Sequence, residues 1–279
     1  MMREVTIAAI QMKPQLGQME DNLVAMSDWI KQVATAQRVD LILFPELITT
    51  GHECGVSFTD YAQRVPGPSV NLIAQRASEY GVHIAFGLVT KEKVESILHN
   101  ALVVVGPDGD LVGHYHKVHL RGEERMTFRP GFRYQVLETD FGLVGLMLDW
   151  DLAFPEVARS LALEGAELLL VGANWETPHA DEWRTYLRAR AYENGVYVAA
   201  ANRVGAEPSY SFFGESAVIG PRGQVYASLA DEVNPETGEP VDGYVVAKVD
   251  LDQVRQYREE FQMFQCREPS TYRAVVKKY

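Results

Sequence analysis

Short apolar runs of strand length alternate with stretches of helical periodicity along almost the whole chain. That alternation is the strongest constraint on its fold. VTIAAIQM (5–12) reads as a buried strand. In the next segment Leu23, Met26, Ile30 and Val33 recur three and four apart, the spacing that lines one helix face. LILFPEL (41–47) is an apolar run ended by proline. NLIAQRASEYG (71–81) is a helix that Gly81 can terminate, HIAFGLV (83–89) is a strand, and ALVVVGPDGDLVGHYHK is a hairpin turning at PDGD. The second half repeats this grammar. LVGLML (143–148), ELLLVGA (167–173) and VYVAAAN (196–202) are strands. PEVARSLALEG (155–165), with Pro155 in its first turn, and EWRTYLRARAYENG (182–195) are helices. ESAVIGPRGQVYAS forms a second hairpin and GYVVAKVDL (243–251) a last long strand. Two such halves predict an α/β domain over 1–279, with two sheets face to face and helices outside. Runs such as AELLLVGA need cover on both faces, as that layering provides. The tail 259–279 shows no core of its own and is expected to lie on another surface, such as a partner subunit's.

Charge and cysteine content exclude several classes. Lys and Arg number 26 against 38 Asp and Glu, a net charge of −12. A surface this acidic argues against binding bare nucleic acid or anionic lipid. The two cysteines, Cys54 and Cys266, allow neither a disulfide scaffold nor a cysteine-rich zinc site. The N-terminal MMREVTIAAIQMKP reads as a first strand rather than a signal peptide. No apolar stretch approaches the ~18–20 residues of a membrane span. A soluble, cytoplasmic protein is expected.

Three segments carry residues suited to chemistry. Glu46 follows Phe44-Pro45 at the end of an apolar strand, where α/β proteins keep their sites, and suits a general base. A solvated loop glutamate is the plain alternative. Lys117 ends the strand LVGHYHK on the face opposite His114 and His116. There it can hold a developing oxyanion or be a surface lysine. His114, His116 and His119 have a spacing compatible with zinc, though no fourth ligand is evident. In LVGLMLDWDLAFPEVAR a strand enters a tight turn at Asp149-Trp150-Asp151, just before the helix at Pro155. A side chain at such a turn is displayed as a nucleophile is, or serves as a polar turn residue and helix cap.

Together these segments resemble the nitrilase superfamily of carbon–nitrogen hydrolases. The matching motifs are FPEL-x-x-T-G-H at 44–52, H-K-V-H-L with Glu124 beyond it, and D-W-D-L-A-F-P-E at 149–156. The likeness continues in order through ANWE (173–176), RARAYEN (188–194), AAANRVG (199–205), FFGESAVIGPRG (212–223) and CREPSTYR (266–273). It implies a four-layer α-β-β-α sandwich that pairs into a homodimer or higher homo-oligomer. It also implies hydrolysis of nitriles, amides or carbamoyl groups without metal or organic cofactor. By motif match Glu46 is the base, Lys117 the oxyanion-stabilising lysine and Glu124 a second glutamate that helps position substrate. The backbone N–H of Trp150 is the other oxyanion donor.

The family's nucleophilic cysteine falls at position 149, which is Asp here; neither Cys54 nor Cys266 can take its role. A thiolate attacking a carbonyl gives a thioester that water then cleaves. A carboxylate is a weaker nucleophile and would give a mixed anhydride, which is higher in energy. Glu46, Glu124 and Asp149 would surround one ammonium, so repulsion should raise at least one carboxyl pKa. Asp149 should pair with Lys117 and occupy the donor that an oxyanion needs. The chain as written is therefore expected to be inactive or severely impaired. Two origins fit: a natural pseudoenzyme that still binds a small molecule or partner, or a substitution introduced into an active amidase. A small aliphatic amide or carbamoyl group suits the motifs better than a nitrile. Trp175, Tyr192, Phe212 and Phe213 are candidates for the site's walls, and equally for core.

Overall fold

The structure, a computed structural model, describes residues 3–94, 96–230 and 232–277. The first half runs β1 (Glu4–Gln11), α1 (Met19–Ala36), β2 (Leu41–Leu43), α2 (Phe58–Tyr61), α3 (Pro68–Tyr80), β3 (His83–Lys91), β4 (Leu98–Val105), β5 (Leu111–His116) and α4 (Glu124–Thr127). The second runs β6 (Gln135–Thr139), β7 (Gly142–Leu148), α5 (Pro155–Leu163), β8 (Leu168–Ala173), α6 (Ala180–Asn194) and β9 (Tyr197–Asn202). Then follow β10 (Val204–Ala206), β11 (Ser211–Phe213), β12 (Ala217–Ile219), β13 (Val225–Ser228), β14 (Gly243–Asp250) and α7 (Asp252–Phe261).

Among the described residues the strands form two six-stranded sheets, β14-β1-β2-β3-β4-β5 and β13-β12-β9-β8-β7-β6, and a β10-β11 ribbon. Read from β14 and from β6, the two sheets share one pairing pattern. It is antiparallel, parallel, parallel, antiparallel, antiparallel. Repetition in the sequence is thus repetition in topology, with β2 and β8 as the matching central parallel strands.

Alternation along those strands builds the layers. Leu41 and Leu43 of β2 meet Leu168 and Leu170 of β8 in one core between the sheets. Ile42 points the other way, toward Met26 and Ile30 of α1 and Ile73 of α3. Leu169 and Val171 likewise face Val157 and Leu161 of α5 and Leu187 of α6. Both faces are covered, so these strands read as unbroken apolar runs. The result is the expected α-β-β-α sandwich. The apolar stripe of α1 is buried as its spacing predicts. Gly81 and Gly195 end α3 and α6 in the left-handed conformation, at φ 65° and 56°, which glycine adopts at little cost.

One expectation needs correction. The run 41–47 is strand only over Leu41–Leu43, because Pro45 cannot donate to a ladder and the chain turns away. The first residues of the tail form the end of α7, whose buried Val254 and Tyr257 precede the tail. Phe264 then packs against the α5–α6 layer, with Arg159 and Arg258 over its ring at 5.3 and 5.0 Å. Among the described residues no helix is long and apolar enough to cross a membrane.

Candidate active site

Four side chains from both halves meet at the ends of the central strands. Glu46 follows β2, its backbone seated on β3 by the Gly87 N–H donating to the Pro45 carbonyl at 3.1 Å. A Cβ at Gly87 would lie 2.5 Å from Leu47 N and 2.6 Å from Glu46 Cα, so the seat requires glycine. Lys117 follows β5, its N–H donating to the Asn100 carbonyl of β4 at 2.9 Å. Glu124 opens α4, and Asp149 leaves β7 at φ 42°. Lys117 Nζ donates to Glu46 Oε1 at 2.9 Å, to Glu124 Oε1 at 2.8 Å and to Asp149 Oδ2 at 3.1 Å. Asn100 Nδ2 bridges Glu46 and Glu124, at 2.7 and 3.1 Å.

Asp151 fixes this juxtaposition. It is fully buried and accepts from Tyr115 Oη at 2.7 Å, from the His119 N–H and Nδ1 at 3.0 and 2.8 Å, and from the Leu148 N–H at 3.2 Å. The residues flanking Lys117 are thereby tied to the strand end that presents Asp149. A buried carboxylate with several donors is a strong tether, since each charge-assisted bond is worth roughly 1.5–3 kcal/mol.

One ammonium cannot neutralise three carboxylates. Burial pushes the Glu46 carboxyl well above its ordinary value; Lys117 opposes this, while the charges of Asp149 and Glu124 add to it. Burial would lower Lys117, but Asp149, Glu124 and Glu46 together hold it well above the usual lysine value. Asp149 stays below its usual value because Lys117 outweighs burial. The surroundings therefore favour the charged form of Lys117 and the ionised form of Asp149, and disfavour ionisation of Glu46. A raised carboxyl pKa costs stability once the unfolded chain ionises, from about pH 4.5 upward. Glu46→Gln should thus gain on the parent chain as pH rises from about 5 to 8. Thermal melts at both pH values check this; an advantage that shrinks with pH contradicts it.

Above this floor opens a cavity of about 340 Å³, lined among others by His52, Glu53, Arg121, Phe128, Asn174 and Tyr210. The His52 and Glu53 N–H groups donate to the Glu207 carboxylate at 3.0 and 2.7 Å, and the buried Arg203 guanidinium pairs with that same carboxylate. Gly51, at φ 85°, allows this turn. Burial lowers the His52 pKa, so its ring stays neutral. Asn174 fits with its amide nitrogen donating to the Glu46 carbonyl at 3.1 Å.

Residues 6–259 match the family model described as carbon-nitrogen hydrolase. The chain belongs to that family, within the nitrilase superfamily. A probable nitrilase of Schizosaccharomyces pombe is 40% identical over 98% of this chain and 99% of its own length. A nitrilase of Pyrococcus abyssi is 37% identical over 91% and 93%. The amidase from Nesterenkonia sp. AN1, solved as a cysteine-to-alanine mutant in complex with butyramide, has a TM-score of 0.79 at 27% identity. That match covers 92% of this chain and 95% of the amidase. Another structure of the same amidase shows covalent addition of the acetamide moiety of fluoroacetamide at its active site cysteine.

In this carbon–nitrogen hydrolase the four motif residues converge, whereas none of the candidate wall residues lines the cavity. Trp175 is core: it packs between Trp150 and Trp183, at 5.7 and 5.6 Å, and donates to the His179 carbonyl. Tyr192 is 52% exposed on the outer face of α6, beside Tyr257. Phe213 packs on the α6 layer against Trp183. Phe212 lies behind His52 and under Arg203. The Trp150 ring stacks beneath Arg121, 4.4 Å from its guanidinium, outside the lining. Aromaticity in a sequence does not distinguish core from wall. His52, in the T-G-H motif, was the available signal.

The three spaced histidines do not converge on one point. His116 stacks on His99 at 4.0 Å, whereas His119 turns to Asp151 and stacks on Phe154. Among the described residues no group of three side chains is placed to hold a metal ion. Cys54 is half-buried, donates to the Thr50 carbonyl at 3.3 Å and has its thiol pushed up to about 11 by burial; Cys266 is exposed in the tail. Neither lines the cavity.

Proposed function

We propose that this carbon–nitrogen hydrolase carries the architecture for hydrolysing a small aliphatic amide or carbamoyl compound, and that Asp149 leaves it inactive or severely impaired. The observation carrying this reading is the 3.1 Å contact between Asp149 Oδ2 and Lys117 Nζ. In the mechanism implied by the family, Glu46 takes the thiol proton and sulfur attacks the carbonyl carbon. Lys117 and the Trp150 N–H hold the oxyanion, ammonia leaves, and water cleaves the thioester. Asp149 obstructs each stage. Its carboxylate has no proton to surrender, and it engages the ammonium that the oxyanion would need. Attack by it would produce a mixed anhydride. Burial and the charges of Asp149 and Glu124 push the Glu46 carboxyl up, which disfavours the ionised form a general base needs. The amide bound by the Nesterenkonia protein supports the substrate class.

The test is ammonia release from small amides, nitriles and carbamoyl compounds by the chain as it stands. No turnover beyond the uncatalysed rate is expected, and repeated turnovers per chain would refute inactivity. The expected homo-oligomer is placed by us on the face carrying Tyr192, Phe261 and the tail. Its exposed apolar rings and the exposed Val275 and Val276 support that placement. A monomer in sedimentation would refute it.

A further inference from the structure

We propose that Asn100 is a positioning residue of this site: its amide clamps Glu46 and Glu124 onto Lys117, and thereby aims the remaining ammonium N–H at residue 149, beside which an oxyanion forms. The proposal rests on the hydrolase reading above and assigns that reading a further residue.

The geometry is a closed ring of two nitrogens and two oxygens. Lys117 Nζ donates to Glu46 Oε1 at 2.9 Å and to Glu124 Oε1 at 2.8 Å. Asn100 Nδ2 donates to the same two oxygens, at 2.7 and 3.1 Å. An ammonium carries three N–H bonds on a rotatable terminus. Here the two glutamates occupy two of them, with Glu124 Oε2 also 2.9 Å from Nζ, and the third meets Asp149 Oδ2 at 3.1 Å. The amide sets how far apart the two glutamate oxygens stand, and their separation sets the direction of the third N–H. Asn100 also holds the lysine by its main chain, since its carbonyl accepts the Lys117 N–H at 2.9 Å.

The sheet itself does not call for asparagine here. Asn100 is 1% exposed, and its neighbours Leu98, Ala101 and Leu102 in β4 are buried and apolar. Its Oδ1 is buried without a hydrogen-bond partner among the described residues. An unpaired buried acceptor costs free energy that a leucine of similar size would avoid. Turning the amide over offers no relief, because Oδ1 would then face two carboxylate oxygens. Both N–H bonds are committed to the glutamates at the expense of the oxygen. That donation favours the ionised form of Glu46 and so works with Lys117, against burial and the charges of Asp149 and Glu124.

Asn100→Leu tests the assignment in two settings. In the Asp149→Cys chain it should lower kcat for butyramide at least about tenfold and change KM by less than about threefold, as loss of aim at the reacting centre does. The acid limb of the rate profile should move to higher pH, because the base loses a donor to its ionised form. An unchanged rate overturns the proposal. So does a loss that falls on KM, or one that leaves the acid limb in place. The second setting is a stability cycle in the chain as it stands, by urea unfolding at about pH 7.5, combining Asn100→Leu with Asp149→Asn. Once Lys117 is no longer aimed at residue 149, removing the charge there should be more favourable than in the parent, by at least about threefold in the folding constant. Lost packing at position 100 predicts additivity instead, and additivity overturns the proposal. Should Asn100→Leu not fold, Asn100→Ser, whose one hydroxyl serves a single glutamate, should give the same signs in both settings. An inert Asp149→Cys refutes the hydrolase reading, and the cycle then decides the clamp alone. An active Asp149→Cys beside an additive cycle refutes only the clamp.

Discussion

Asp149→Cys is expected to release ammonia from butyramide roughly a thousandfold or more faster than the parent chain. That is the scale on which losing one group of a covalent catalytic unit counts. The substitution changes three things at once. It supplies a nucleophile whose acyl product is a thioester. It frees one N–H of Lys117, now 3.1 Å from Asp149 Oδ2, to meet an oxyanion. It also removes one of the charges that raise the Glu46 carboxyl, which eases ionisation of the base. Asp149→Ala separates the causes: it too frees Lys117 but supplies no nucleophile, and should remain inert. Equal rates for the two variants would show that no thiol step operates here.

Lys117→Met should be the most damaging single change at the site's floor. Lys117 is 1% exposed and touches three carboxylates. Removing one partner of a buried ion pair typically costs about 3–5 kcal/mol, because the remaining charge is left uncompensated. The sign of its pH dependence is fixed. Without the ammonium to oppose burial, the folded-state pKa values of Glu46 and Asp149 stand above their unfolded values. Folding then takes up protons, and stability falls as pH rises through the carboxylate range. Urea unfolding should show a larger deficit near pH 8 than near pH 5, and Asp149→Asn in the same chain should recover part of it. A loss below about 1 kcal/mol would mean that water reaches the cluster and screens it.

What was legible in the sequence followed from local pattern. The stripe Leu23–Met26–Ile30–Val33, the central strands and the left-handed stops at Gly81 and Gly195 are set by neighbours in the chain. Glu46, Lys117, Glu124 and Asp149 were found through motifs whose order is itself informative. The rest depends on long-range contact. α7 offers only Val254 and Tyr257 as a buried face, too thin a stripe to stand out. Asn100 looks like any strand asparagine until β4 lies beside β5, where it bridges two carboxylates. Asp151 resembled a cap, and its four hydrogen bonds reach a strand end more than thirty residues away as well as its own turn. Trp175, Tyr192 and Phe213 could not be assigned to wall or core from sequence, because an aromatic side chain is equally suited to a core, a wall and an interface.

The floor of the cavity is assembled across the seam between the sheets. Glu46, Lys117 and Glu124 come from one half of the chain, Asp149 and Asn174 from the other. Opening the seam therefore dismantles the binding site in a single event, and no half of the chain keeps a usable remnant. A ligand held there acts as a rivet. Its whole binding free energy, RT ln(1 + [L]/Kd), opposes separation of the two halves. Occupancy should slow amide exchange deep in β2 and β8 together, far beyond the atoms that the ligand touches.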